Sequence, residues 1–103
     1  MRHTIFHDIE QVYPLIIAAM ADEFDAHDFI LMLAHAHQRL YVRALALYAE
    51  TDRPFQIVHG ILAQRLHKFA NLITKVGERH SPDIFGQPNP ASVWQKQGRT
   101  GLS

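Results

Sequence analysis

The sequence predicts an α+β domain, mainly α, built as three helices followed by a C-terminal two-stranded β-hairpin. Apolar residues recur at three- and four-residue spacing through residues 9–69, the signature of helices with one buried face. Beyond residue 71 the texture changes to short runs rich in β-branched residues, at 72–77 and 91–96, separated by turn formers. At 103 residues, 48% of them hydrophobic, the chain has the size of one domain and enough apolar material for one core. Residues 1–96 are expected to form that domain and residues 97–103 a flexible tail.

The first helix is expected over residues 8–21, with Ile9, Val12, Tyr13, Ile16 and Met20 on its inner stripe. Pro14 would remove a backbone donor that deep in a helix, so the helix either kinks there or begins near Tyr13. The second start is marked by Asp25 as N-cap, Asp28 three residues on, and Phe24 set to pack on Phe29 as a hydrophobic staple. From there Phe29, Leu33, Leu40, Ala44 and Leu47 stay in phase and Ile30, Tyr41 and Tyr48 widen the stripe. This helix extends to residue 49, either unbroken or with a break at His37-Gln38. Leu31, Met32 and Val42 fall off the stripe, which points to a second packed neighbour or a subunit interface.

Thr51-Asp52-Arg53-Pro54 is turn chemistry, with Pro54 suited to a first helical position. The third helix, residues 54–71, places Phe55, Val58, Leu62, Leu66 and Phe69 on one face and Gln56, Gly60, Gln64, His67 and Asn71 on the other. Two short strands anchored by Ile73, Val76, Val93 and Trp94 follow, joined by a loop over residues 81–90. Ile84 and Phe85 are expected to pack back on the helices.

The charges are sorted by half. Residues 1–50 carry three basic against seven acidic side chains, and residues 51–103 carry seven basic against three acidic. A net charge of zero therefore hides a dipole whose basic end can attract polyanions. The absence of cysteine excludes disulfides, thiolate nucleophiles and cysteine zinc sites, and suits an intracellular, cytoplasmic protein. Residues 12–21 imitate a signal-peptide core, but Asp8, Glu10 and Pro14 fit an amphipathic helix better. No stretch approaches the roughly 20 apolar residues of a membrane span.

The eight histidines do not group as metal ligands. His3 and His7 precede the first expected helix, His35 and His37 diverge on a helix, His27/His35 and His59/His67 are eight apart, and no HExxH occurs. His37, on the apolar stripe, is expected to be buried and hydrogen-bonded. Histidines near helix surfaces should make stability depend on pH near 6–7. Ser81, Ser92 and Ser103 sit in no nucleophile elbow, and Asp22, Glu23, Asp25 and Asp28 fit helix-end chemistry. No catalytic residue, metal or cofactor is expected, and the chain does not read as an enzyme.

Three helices and a hairpin, with basic residues gathered in the last helix and the hairpin, resemble the winged-helix branch of the helix-turn-helix superfamily. The resemblance rests on element order over residues 9–96, with residues 24–30 like the start of an internal helix and residues 73–94 like a wing. Residues 24–30 and 54–60 also resemble a group of uncharacterised small bacterial proteins, which implies no activity. The winged-helix resemblance implies double-stranded DNA as partner, with the third helix in the major groove. Gln56, Gln64, His67 and Asn71 would then meet base edges, while Lys68, Lys75, Arg79 and Lys96 neutralise phosphates and Gly60 with Ala63 permits close approach. The competing expectation is a homo-oligomeric interaction module that binds no nucleic acid and is centred on Leu31, Met32 and Val42.

Overall fold

The computed structural model describes residues 4–97. Where one helix was expected over 8–21 there are two, α1 (Thr4–Glu10) and α2 (Tyr13–Ala19). A tight turn separates them, closed by Gln11 N to Asp8 O (3.1 Å) and Val12 N to Ile9 O (3.0 Å). Pro14 lies in the first turn of α2, where the amide it lacks would have had no helical partner. The proline thus sets where the second piece starts.

A short strand, β1 (Glu23–Asp25), comes next and leads directly into α3 (Ala26–Ala36). The start of α3 is the expected capping box: Asp25 Oδ1 accepts from Asp28 N (2.9 Å), and Asp25 N donates to Asp28 Oδ2 (3.1 Å). Phe24 and Phe29 form the staple with ring centroids 6.2 Å apart. At His37 the backbone leaves helical geometry (φ −130°, ψ 58°), so the long second helix divides into α3 and α4 (Gln38–Leu47). His37 is half-buried at this junction rather than bonded within the core; its amide closes α3 on Leu33 O at 2.8 Å.

The third expected helix is α5 (Pro54–Arg65), followed by a 3₁₀ turn (Leu66–Phe69) in place of further α-helix. The hairpin strands β2 (Ile73–Pro82) and β3 (Pro88–Lys96) are longer than expected, and the loop between them is correspondingly shorter. They form a three-stranded antiparallel sheet in the order β1-β3-β2. The two-stranded expectation therefore gains a strand, with Phe24 opposite Trp94. Val76 is no anchor: the register shifts between Lys75 and Gly77, and the bulge leaves Val76 50% exposed. Ile73, Val93 and Trp94 are buried. Gln97, expected to begin the tail, is held by Leu72 O through its amide and by Ala70 O and Ile73 O through its side chain. The rest of the expected tail lies outside the described residues, as do His3 and Arg2.

Tyr13 ties the helices together. Its ring lies 4.6 Å from Phe29 and 5.0 Å from Phe69, and its hydroxyl donates to Leu62 O at 2.6 Å. An aromatic side chain buried this way contributes about 1.5–3 kcal/mol, and the hydroxyl bond removes the cost of burying a polar tip. Asp25 ties the sheet to the helices. It is 1% exposed, and its carboxylate accepts from Asp28 N (2.9 Å) and Arg79 Nε (3.0 Å). Among the described residues no helix is long and apolar enough to cross a membrane.

Candidate nucleic-acid interface

The outer face of α5 carries a row at four-residue spacing, Gln56, Gly60 and Gln64, continued by Lys68 in the 3₁₀ turn, and all four are exposed. The row exists because Val58, Leu62 and Leu66 occupy the opposite side and are fully buried. Together with Ile57 and Ile61 the row lines an open groove of about 670 Å³. Gly60 lies mid-helix, and a Cβ built there would meet nothing within 4 Å, so no close packing inside the fold requires glycine at this position.

On the hairpin side of α5 the loop is tightly knitted. Asp83 Oδ1 accepts from the amides of Phe85 and Gln87 (both 2.9 Å), and Asp83 Oδ2 accepts from Asn89 Nδ2 (2.9 Å). These bonds hold the Asp83 carboxyl below the usual range, the Gln87 amide foremost. The loop sets Phe85 edge-on against Phe55 at 4.8 Å and beside His59 at 6.4 Å. Ile84 packs against the core, so both loop residues turn back on the body as expected. Phe55 itself, expected on the buried face, is 36% exposed and serves this loop contact.

His59 shares a hydrogen bond with the Tyr41 hydroxyl (2.7 Å) and stacks on that ring at 5.8 Å. Burial lowers its pKa, against the nearby Asp83 carboxylate and with a smaller push from His27. His27 Nδ1 and Ser81 Oγ are hydrogen-bonded at 2.7 Å. A second cavity, about 310 Å³, opens between the start of α5 and the loop. None of these contacts was foreseen from sequence. His27 and Ser81 stand 54 residues apart, and the expectation for this loop went no further than Ile84 and Phe85 packing back on the helices.

The expected phosphate-neutralising residues have other partners. Lys68 and Arg65 both pair with Glu10, Lys68 at 3.0 Å. Burial pushes the Glu10 carboxyl up, but the two cations outweigh it and the pKa is lowered. Lys75 pairs with Glu78 at 3.1 Å. Arg79 faces Asp25 (3.0 Å), Asp28 (3.6 Å) and Glu23 (3.8 Å). Lys96 donates to the carbonyls of Ala18 (3.1 Å) and Met20 (2.7 Å) at the end of α2, where the helix dipole favours a cation.

The two charge-sorted halves are thus folded onto each other, and the sequence dipole is largely spent inside the molecule. His67 lies edge-on to Trp94 at 4.9 Å, while Asn71 is exposed beyond the 3₁₀ turn. Structure therefore gathers Gln56, Gln64 and Lys68, and disperses Lys75, Arg79 and Lys96 among separate partners. Arg53, at the start of α5, is exposed and makes no ion pair among the described residues.

Of the expected interface residues, Leu31 is 54% and Val42 60% exposed, whereas Met32 packs against the core. Among the described residues no group of three or more His, Asp or Glu side chains gathers to hold a metal ion. The fold and the surface define the class only as far as an α+β domain in which helices back a three-stranded antiparallel sheet. No protein-family model, curated protein or solved structure matches this chain.

Proposed function

We propose that this chain binds double-stranded DNA by laying the outer face of α5 in the major groove, with the hairpin alongside, as a winged-helix-like regulator would. The observation that carries the reading is the Gln56–Gly60–Gln64–Lys68 row. Glutamine amides pair with adenine edges, a glycine lets the helix backbone approach, and a lysine at the row's end meets phosphate. The element order supports it, because the short strand between α2 and α3 closes on the hairpin and makes the wing part of the body.

Charge carries little of the reading. Arg53 and Lys68 are exposed at the two ends of the row, while Lys75 and Arg79 are exposed but already ion-paired, so two or three counterions are released, not the larger number implied by the basic half of the sequence. With a salt slope of about −0.9 per phosphate, binding should weaken by about 10- to 40-fold between 50 and 200 mM salt. Fluorescence anisotropy with random-sequence duplex tests this, with Gln64→Ala and Lys68→Ala as variants. Salt-sensitive binding reduced by both variants is expected. No binding at 50 mM salt would remove the reading.

A second reading rests on the exposure of Leu31 and Val42, which would form the apolar centre of a contact between two copies. Its test is sedimentation of Leu31→Asp and Val42→Asp variants. A shift toward monomer with helicity kept would favour it, and a monomeric wild type would exclude it.

A further inference from the structure

We infer that the cavity between the start of α5 and the hairpin loop takes one unpaired nucleobase from the strand bound along α5, an inference that rests on the DNA-binding reading. The cavity, about 310 Å³, falls at the lower end of small-molecule sites, about 300–1,000 Å³, and so suits a single heterocycle rather than a duplex edge. Phe55, His59 and Phe85 supply aromatic surface, and Phe85 keeps 54% of its area open. Bases stack on such surfaces whatever their identity, because every base has a π-face.

Polar groups complete the site. The Gln56 side chain has no hydrogen-bond partner among the described residues, so its amide can donate and accept at one base edge, as glutamine does with adenine. Asn89 gives its nitrogen to Asp83 and leaves its oxygen to accept. Arg53 stands at the rim without an ion-pair partner among the described residues, placed for the phosphate of the extruded nucleotide. Gln56 lines both the large groove and this cavity, so a base leaving a strand on the row meets the cavity directly. The loop that carries Phe85 is held by three bonds to Asp83, so the aromatic wall is set before any ligand arrives.

The test compares two labelled duplexes by anisotropy at 50 mM salt, one fully paired and one with a single bulged adenine, using wild type, Phe85→Ala and Phe85→Leu. Phe85→Leu keeps apolar packing on Phe55 and lacks the ring, so it separates stacking from loop order. The expected result is roughly 5- to 160-fold tighter binding of the bulged duplex, lost in both variants, with affinity for the paired duplex reduced much less. Equal affinity for the two duplexes, or a bulge preference that survives both variants, overturns the inference and leaves the α5 reading standing. Free adenosine monophosphate that binds in a Phe85-dependent way, without any bulge preference, assigns the cavity to a soluble nucleotide and overturns the strand-borne base. Absence of binding to both duplexes overturns the α5 reading and this inference together.

Discussion

Gly60→Ala should make the protein more stable and weaken its hold on DNA. Gly60 is the seventh of twelve residues in α5, its φ lies outside the left-handed region, and an added Cβ meets nothing within 4 Å. No overpacking opposes the change, so the gain is that of replacing glycine by alanine inside a helix, about 0.5–1 kcal/mol. At about 4–8 °C per kcal/mol for a domain of this size, Tm should rise by about 2–8 °C. Differential scanning calorimetry reads the shift, and urea titration at constant m-value confirms its origin. The same methyl group stands between Gln56 and Gln64, where it would hold the helix off a base edge and cost one base contact, about 1–3 kcal/mol in affinity. A fall in Tm would refute the open, helical description of this position. A rise in Tm with unchanged duplex affinity would refute α5 as the contact face.

Three further outcomes follow from the buried and paired charges. Asp25→Ala removes a helix cap and charge-assisted bonds from a site that is 1% exposed, so urea unfolding should show a loss of about 2–4 kcal/mol. A loss within 0.5 kcal/mol would show that Asp25 does not join sheet to helix. Burial lowers the pKa of His59, so near the unfolded imidazole value of about 6.5 the unfolded chain binds more protons. Its contribution to stability is complete above that value and is lost as pH falls through it. His59→Gln should flatten the stability profile between about pH 5.5 and 7, and an unaltered profile would assign the dependence elsewhere. Asp25 and Glu10, both lowered, lose their contributions only in more acidic solution, below about pH 4. Glu10→Gln releases Arg65 and Lys68 from their shared carboxylate and should steepen the salt dependence of duplex binding by about one phosphate equivalent. An unchanged slope would place the DNA contact away from this end of α5.

What the sequence conveyed was local chemistry. Asp25 and Asp28 announce a capping box three residues wide, Pro14 and Pro54 mark helix starts, and the exposed row of α5 follows from the 100° spacing of its buried partners. What it concealed was set by contacts between distant residues. A strand as short as Glu23–Asp25 has too few residues to show alternation and exists because β3 lies beside it. The Lys75-to-Gly77 bulge turns Val76 outward although its residue type suits a buried strand position. The charge sorting was visible, but not its outcome: Arg79 meets Asp25 across 54 positions and Lys68 meets Glu10 across 58. A sequence dipole in a small domain can be partly neutralised by the fold itself: Lys68 and Arg79, two of the four basic residues expected to meet phosphate, are counterions to Glu10 and to Asp25, Asp28 and Glu23.

The most direct test of the central claim is to titrate ¹⁵N-labelled protein with duplex DNA and follow backbone amide shifts. Perturbations confined to residues 53–68 and the neighbouring hairpin loop are expected, fading as salt is raised from 50 to 200 mM. Shifts centred on Arg39, Val42 and Arg43 of α4, or none at any DNA concentration, would contradict the assignment of α5 as the DNA-facing surface.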